Sequence, residues 1–97
     1  MNPKLPIFEQ LDSLRDDADR ADWLRRISPA LLMTYQATIK ARFAARDWPE
    51  AVKYVDTRLT ALRRNADEYG WFSQAAYEFC QAAWVELVES VARRAGP

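Results

Sequence analysis

The side chains that could support chemistry are carboxylates and one thiol, because the chain contains no histidine and a single cysteine. Histidine is the commonest general base and the commonest neutral metal ligand in proteins. Cys80 therefore has no histidine to activate it, and it lies in an apolar row, where a thiol usually acts as a small inert hydrophobic group. We expect Cys80 to contribute to packing and not to act as a nucleophile.

The carboxylates fall into two clusters. Asp12, Asp16 and Asp19 are expected on one face of a predicted helix, and Glu86 and Glu89 are three residues apart. A helical di-metal site needs inward Glu residues with Glu-x-x-His pairs, and a calcium loop needs a central Gly and a terminal Glu. Neither pattern occurs here, and arginines interleave with the aspartates, as on a solvated, self-paired surface. The sequence therefore predicts no metal, no cofactor and no catalytic activity.

A basic cluster is formed by Lys40, Arg42 and Arg46, within a segment, 29–46, that contains no acidic residue. Such a cluster could contact phosphate or an acidic partner. The whole chain has 14 basic and 14 acidic residues and a net charge of zero, which gives no general attraction to nucleic acid or to an anionic membrane. We expect acids on neighbouring helices to neutralise the cluster.

Helical periodicity predicts the elements that position these residues, at approximately 7–26, 29–46, 48–69 and 71–94. Ser28-Pro29 is a strong helix start, because Ser can cap free amides and Pro suits the first helical position. Asp47 is expected to cap the third helix. The first helix has a narrow, Ala-rich apolar face, so a break is expected near residues 19–22.

The third helix carries an apolar seam at alternating spacings of four and three, a pattern typical of helices packed nearly parallel or antiparallel. Its members are Trp48, Val52, Val55, Leu59, Leu62, Ala66 and Tyr69. Gly70 follows and is placed to end the helix in a left-handed cap. A kink at Gly70 within one long helix is the alternative.

The last helix is apolar over much more than one stripe, so it must touch two neighbours, or one neighbour and another molecule. One row comprises Phe72, Ala76, Phe79, Ala83 and Leu87, and a second comprises Tyr77, Cys80, Trp84, Val88 and Val91. We expect the first row to pack on the seam of the third helix. Tyr77, Trp84, Val88 and Val91 are the candidate partner-binding residues, and the sequence leaves open whether they are core or interface.

The stretch from Ala41 to Val55 resembles the middle of a tetratricopeptide repeat, with Ala41, Phe43, Asp47, Trp48 and Ala51 at the matching spacing. This resemblance implies two helices joined by an acidic-aromatic turn. The repeat's small residue is replaced by Arg58, its closing proline near residue 63 is missing, and no second copy recurs at a 34-residue period. What the resemblance implies is therefore a helical hairpin.

The sequence predicts an all-α protein with one domain over 1–97, either a four-helix bundle or paired helical hairpins, mostly antiparallel. The N-terminus lacks the basic and apolar regions of a secretory signal, and the longest uncharged run is too short to cross a bilayer. One cysteine cannot form an internal disulfide. These features predict a cytoplasmic protein without a membrane segment.

The function that fits these observations is non-catalytic: a small adaptor, regulator or inhibitor that binds a partner protein, with homodimerisation as one form of that binding. An alternative from a different class is a nucleic-acid-associated regulator that uses the basic helix 29–46. A more distant alternative is an accessory or inhibitor protein of a mobile element, which no particular residue supports.

Overall fold

The computed structural model describes residues 6–64 and 74–95, which form six α-helices. They are α1 (Pro6–Ser13), α2 (Asp17–Arg26), α3 (Pro29–Thr34), α4 (Gln36–Ala45), α5 (Pro49–Arg64) and α6 (Gln74–Ala95). No strand occurs in these two stretches, and the predicted all-α class is confirmed. The predicted number of four helices is wrong, because each of the first two predicted helices is interrupted.

The first interruption separates α1 from α2 at residues 14–16, upstream of the expected break at 19–22. Asp16 is not a helical residue but the cap of α2, since its side chain accepts the backbone N–H of Asp19 at 2.8 Å. The Leu14 carbonyl, which has left the helix, accepts a hydrogen bond of 2.8 Å from the guanidinium of Arg20. The aspartate run therefore starts a new helix because a short carboxylate satisfies free amides better than it fits a helix interior.

The second interruption lies at Tyr35, whose backbone angles (φ −112°, ψ 22°) depart from the helix between α3 and α4. The hydroxyl of Thr34 donates to the Ala30 carbonyl at 2.8 Å, a back-bond that often bends helices. The ring of Tyr35 packs edge-on against that of Phe8, with centroids 5.8 Å apart. The bend at Tyr35 changes the chain direction between α3 and α4, and both helices contribute residues to the core. The Tyr35 ring packs on Phe8 of α1.

The expected cap at Ser28 is confirmed, but Asp47 does not cap α5. Ser28 Oγ accepts the N–H of Leu31 at 3.2 Å, with Pro29 in the first turn of α3. Asp47 has a positive φ of 55°. It is the left-handed residue that ends α4, which Asp tolerates better than most residues other than Gly.

The turn from α4 to α5 is a Schellman motif. The N–H of Trp48 donates to the Phe43 carbonyl at 3.2 Å, and the N–H of Asp47 donates to the Ala44 carbonyl at 2.9 Å. These two bonds satisfy carbonyls that the helix end leaves free, and the motif is usually accompanied by a hydrophobic contact across it. Here that contact joins the rings of Phe43 and Trp48, with centroids 5.7 Å apart.

The seam of the third predicted helix is confirmed over residues 48–62. Trp48, Val55 and Leu59 are buried, and Val52 and Leu62 are partly buried against the core. Ala66, Tyr69 and Gly70 lie outside the described residues, as does the predicted turn at Gly70. Helix α5 packs against two neighbouring helices, α4 and α6.

The fold is flat, with extents of 42 × 42 × 17 Å. α6 packs against α5 and α2, while α3 packs against α4 and α5. In this thin fold, α2 and α5 cover the sides of α6 that they contact. Within residues 6–64 and 74–95, no helix is both long enough and apolar enough to span a membrane.

Candidate functional site

The inner face of α6 contacts the core through residues spaced alternately by four and three. Ala83, Leu87 and Ser90 are buried along this line, and Cys80 is half-buried at its start. A spacing that alternates in this way keeps side chains on one side of a helix, which is the requirement for packing along α5. The inner face of α6 therefore has the same alternating residue spacing as the α5 seam.

A polar contact joins the inner face to the core. Ser90 Oγ accepts a hydrogen bond of 2.8 Å from Trp48 Nε1 and donates one of 2.6 Å to the Leu87 carbonyl. The Trp48 ring is fully buried, and the guanidinium of Arg94 lies 4.7 Å from its centroid. Buried indole N–H groups need a partner, so Ser90 occupies a core position that an apolar residue could not fill equally well.

Arg94 ties the end of α6 to two other parts of the fold. Its guanidinium donates to the carbonyls of Arg46 at 3.0 Å and Asp47 at 2.9 Å, and to the carboxylate of Asp17 at 2.8 Å. The two carbonyls belong to the turn between α4 and α5, and Asp17 begins α2. We call the set formed by Trp48, Ser90, Arg94 and Asp17 the C-terminal anchor of α6.

The charges of the anchor shift the acidity of Asp17. Partial burial raises the pKa of its carboxyl, but hydrogen bonds and charges from Arg94 and Arg20 outweigh that effect and hold the pKa below its usual value. Arg20 contributes an ion pair of 2.9 Å from α2 itself. The Asp17 carboxylate is thus stabilised in its charged form by two guanidinium groups.

The opposite face of α6 carries large apolar side chains that are exposed. Tyr77 is 57% exposed, Val85 52% and Val88 46%. At 100° per residue, these three side chains lie within about 80° of one another around the helix. We call this face the α6 outer surface and define it by Tyr77, Val85 and Val88, with the half-buried Trp84 at the edge nearest α2.

The structure divides the predicted partner-binding row in two. Tyr77 and Val88 lie on the outer surface, whereas Trp84 and Val91 are half-buried and pack against the core. The Trp84 ring lies 5.8 Å from that of Tyr54, and the guanidinium of Arg25 lies 5.4 Å from the centroid of the Trp84 ring. Trp84 therefore joins the outer surface to the core and to α2.

Two residues differ from the expectation for the last helix. Val85 was not among the candidate residues, yet its spacing of three from Val88 places it on the same face. Phe79 is 70% exposed, so its expected packing on the α5 seam is wrong, although Ala83 and Leu87 of the same row are buried. Phe79 shares its side of α6 with the buried Ser90, eleven residues further on, so its exposure shows that the described helices do not cover this side of α6 as far as Phe79. Phe72 lies outside the described residues.

The basic cluster is largely engaged within the chain. Lys40 Nζ lies 3.0 Å from a carboxylate oxygen of Asp56, and Arg42 forms an ion pair with Asp12. The Arg42 guanidinium also lies 4.8 Å from the centroid of the Phe8 ring. Arg46 is exposed, and its carbonyl accepts a hydrogen bond from Arg94 of the anchor. Acids on α1 and α5 thus neutralise two of the three cations, as the sequence predicts.

The carboxylates do not form the single face expected for Asp12, Asp16 and Asp19. The break before α2 places Asp12 on α1, and Asp16 serves as a cap. Glu86 pairs with Lys53 at 2.9 Å. In the described part of the chain, no group of three or more His, Cys, Asp or Glu residues could hold a metal ion.

The thiol of Cys80 is half-buried beside the core, and burial raises its pKa. A thiol with a raised pKa is protonated at neutral pH, and the thiolate is the reactive form. The position of Cys80 at the start of the buried line agrees with a packing role.

A groove of about 360 Å³ lies between α1, α2 and the start of α3. Apolar and polar side chains line it, among them Ile7, Leu14 and Trp23, and Asp22 and Arg26, which form an ion pair at 3.1 Å. Its lining offers contact surface and hydrogen-bonding groups but neither a thiol nor a hydroxyl paired with a base.

Comparison with protein-family models, with curated proteins and with solved structures finds no significant match to this chain. Function is therefore inferred from the side chains on the two faces of α6. One face of α6 is held by buried hydrogen bonds and ion pairs, and the other presents apolar side chains to solvent.

Proposed function

We propose that this chain is a non-catalytic module that binds a partner protein through the α6 outer surface. The observation that carries the proposal is the exposure of Tyr77, Val85 and Val88 together on one face of one helix. Single exposed apolar residues are common on soluble proteins, whereas several on one face of a helix favour an interaction site. A tyrosine beside a half-buried tryptophan also fits, because these aromatic residues are enriched in interfaces.

The anchor supports this role because it holds the surface in one geometry before a partner arrives. A helix that is already ordered loses little conformational entropy on binding, which leaves more of the contact energy for affinity. The regulatory, inhibitory or adaptor role that we propose would follow from occupation of this surface, without chemistry by the chain.

We further propose that α5 and α6 form an antiparallel helical hairpin that serves as the rigid support. Two ion pairs support this arrangement: Glu50 with Arg93 at 3.2 Å, and Lys53 with Glu86 at 2.9 Å. As the residue number rises along α5, the number of its partner on α6 falls. Helical hairpins of this kind are common building units of α-helical domains.

A role in binding nucleic acid has less support. A phosphate-binding surface needs cations that are not already neutralised, and Lys40 and Arg42 have carboxylate partners in the chain. A binding assay at low salt would test this alternative directly. Retention of nucleic acid at micromolar protein, lost on changing Arg46 to Ala, would favour it over the protein-binding proposal.

The proposal is tested by affinity recovery from native cell extract with two variants of equal charge. In Val85→Lys/Val88→Lys, two cations replace the apolar centre of the outer surface. In the control, Ala41→Lys/Ala45→Lys, the two cations stand at exposed positions of α4, away from that surface. We expect the control to retain the partners of the unmodified chain and the test variant to lose them.

Light scattering on the same samples determines whether the partner is a second copy of the chain. Circular dichroism of both variants establishes that they remain folded. Equal recovery of the same proteins by both variants, with both folded, would contradict the proposal.

A further inference from the structure

We infer that the groove between α1, α2 and the start of α3 binds a small organic cation, with an ammonium group on a compact apolar body. This site is separate from the α6 outer surface and goes beyond the function proposed above. The volume of the groove, its apolar lining and the charges of its acidic and basic side chains support the assignment.

The groove has the size of a small-molecule site. Its volume of about 360 Å³ lies within the range of about 300–1,000 Å³ that is typical of ligand pockets. This is the volume of about twelve water molecules at about 30 Å³ each, so a ligand of about ten non-hydrogen atoms would fill most of it. A partner protein needs a contact area of about 800 Å² and could place little more than one side chain in such a space. The volume therefore favours a small molecule as the occupant.

The apolar lining comes from every part of the chain that borders the groove. Trp23 and Ile27 are buried, whereas Ile7, Leu14 and Leu31 are half-buried although they also pack against the core. Part of each of these three aliphatic side chains is therefore accessible to solvent within a concave surface. A ligand in a concavity removes such surface from water on several sides at once, which is why ligand pockets are mostly apolar.

The charged residues of the groove give it an excess of negative charge. Asp19 and Asp22 supply two carboxylates, and Arg26 supplies one guanidinium. Arg26 pairs with Asp22, but their side chains are 79% and 45% exposed, and an ion pair of this exposure contributes little. The carboxylate of Asp19 has no partner among the residues that the structure describes, since its bond with Asp16 uses the backbone N–H. One carboxylate is thus left for a cation of the ligand.

The order of burial matches a ligand with an apolar body and a charged end. Trp23 is 8% exposed, whereas Asp19 is an exposed residue of the same groove. A ligand that follows this order packs its apolar body against Trp23 and directs its ammonium group to Asp19. An anionic ligand would meet two carboxylates, and a neutral one would leave the charge of Asp19 unused.

The groove and the α6 outer surface lie on different sides of α2. Trp23 lines the groove, and Arg25 contacts the Trp84 ring of α6. At 100° per residue, Trp23 and Arg25 are about 160° apart around α2. A ligand in the groove therefore needs no contact with α6.

The inference is tested with three probes that share one apolar body: phenylpropylamine, which is an ammonium ion at pH 7, phenylpropanol and phenylpropionate. Propylamine, which lacks the ring, is the fourth probe. Each is titrated into the complete chain, and binding is followed in nitrogen–proton correlation NMR spectra, which report both the affinity and the residues affected. Circular dichroism establishes that each variant of the chain remains folded.

We expect phenylpropylamine to bind about threefold to fivefold more tightly than phenylpropanol, as for one exposed ion pair, and phenylpropionate to bind more weakly than either. The largest shift changes should occur at the indole N–H of Trp23 and along α2, and those of the buried Trp48 should be small. Propylamine should show no saturable binding at the same concentrations, because it leaves the apolar lining uncovered.

The variant Asp19→Asn should reduce the affinity for phenylpropylamine to that for phenylpropanol and leave phenylpropanol binding unchanged. Its control, Glu89→Gln, removes the same charge from an exposed residue of α6 and should keep the preference for the amine.

Equal affinity of the amine and the alcohol, no saturable binding of the amine, or a preference that Asp19→Asn retains would overturn the inference. Shift changes centred on Val85 and Val88 would also overturn it, because the ligand would then bind the α6 outer surface. A terminally blocked Leu-Lys-Leu peptide is the last probe. If it bound more tightly than phenylpropylamine, the groove would be a site for a protein segment and the inference would be wrong.

Discussion

The two faces of α6 have similar apolar content in sequence but opposite roles in the structure. The inner face buries Ala83 and Leu87 and includes a polar residue, Ser90, that is 1% exposed. The outer face exposes Tyr77 and Val88, both of which are far more hydrophobic than Ser90. Burial on α6 is therefore decided by complementarity to α5 and α2 and not by hydrophobicity alone. A polar residue is buried where it completes a hydrogen bond, and a valine is exposed where no neighbouring helix reaches it.

The largest expected effect is a difference in unfolding free energy between variants of two adjacent residues of α6, Leu87 and Val88. Leu87→Ala should lower the free energy of unfolding by about 2–5 kcal/mol, because it opens a cavity at a fully buried position. Val88→Ala should change it by less than about 0.5 kcal/mol, since Val88 is exposed and Ala favours the helix. Urea or guanidinium unfolding followed by circular dichroism measures both. Similar losses for the two variants would remove the distinction between the faces.

The next effect compares the two arginines at the end of α6. The Arg94 side chain is 27% exposed and has three acceptors, whereas that of Arg93 is 61% exposed and pairs with Glu50. Arg94→Ala should therefore cost about 1.5–3 kcal/mol of unfolding free energy, because hydrogen bonds to a charged group and contact with Trp48 are lost.

Arg93→Ala is the control for this prediction and should cost about 0.5 kcal/mol or less, as for other exposed ion pairs. The same unfolding measurements apply. A loss for Arg93→Ala as large as that for Arg94→Ala would show that the anchor adds nothing beyond surface charge.

A pH dependence is expected from Asp17 of the anchor. Its folded-state pKa is lowered by Arg94 and Arg20 against the opposing effect of burial. The stabilisation is therefore complete above the unfolded-state pKa of about 3.9 and is lost as the pH falls through the lower folded-state value. Asp17→Asn should be about 1 kcal/mol less stable at pH 7, and its difference from the unmodified chain should shrink below pH 4.

Unfolding curves between pH 7 and pH 2 measure this dependence. Asp19→Asn is a suitable control, because Asp19 lies in the same first turn of α2. A difference between Asp17→Asn and the unmodified chain that persists undiminished at pH 2 would show that the contribution of Asp17 is not electrostatic.

The smallest effect concerns the turn that the anchor holds. Asp47 has a φ of 55°, and Gly adopts this conformation at lower cost than any other residue. Asp47→Gly should therefore stabilise the fold by about 0.5–1 kcal/mol, as measured by an increase in the melting temperature. Its carbonyl, which accepts from Arg94, is kept. A decrease in stability would mean that the Asp47 side chain contributes more than its backbone strain costs.

Several features of the fold are readable from the sequence because they depend on local chemistry. Ser28 caps a helix because a hydroxyl directly before Pro29 can satisfy free amides. The seam at Trp48, Val55 and Leu59 is readable because its spacing recurs over several turns.

Other features depend on distant residues and could not be read in this way. Asp is a residue type that often caps the N-terminus of a helix, so the sequence favours Asp47 as the cap of α5. In the structure Phe43 packs on Trp48, and Asp47 is instead the residue that ends α4. Ser90 is buried because of Trp48, which lies 42 residues away in sequence. The exposure of Phe79 and Val85 depends on where α5 and α2 lie. The outer surface could therefore be predicted only as one of two apolar rows.

The central claim is that α6 contacts another protein through its outer face. Site-specific photocrosslinking in native cells tests it, with a photoreactive amino acid placed singly at Val88 of α6 or at Ala41 of α4, both exposed. We predict a discrete crosslinked product that contains another protein from position 88 and none from position 41. Identical products from both positions, or none from position 88, would contradict the claim.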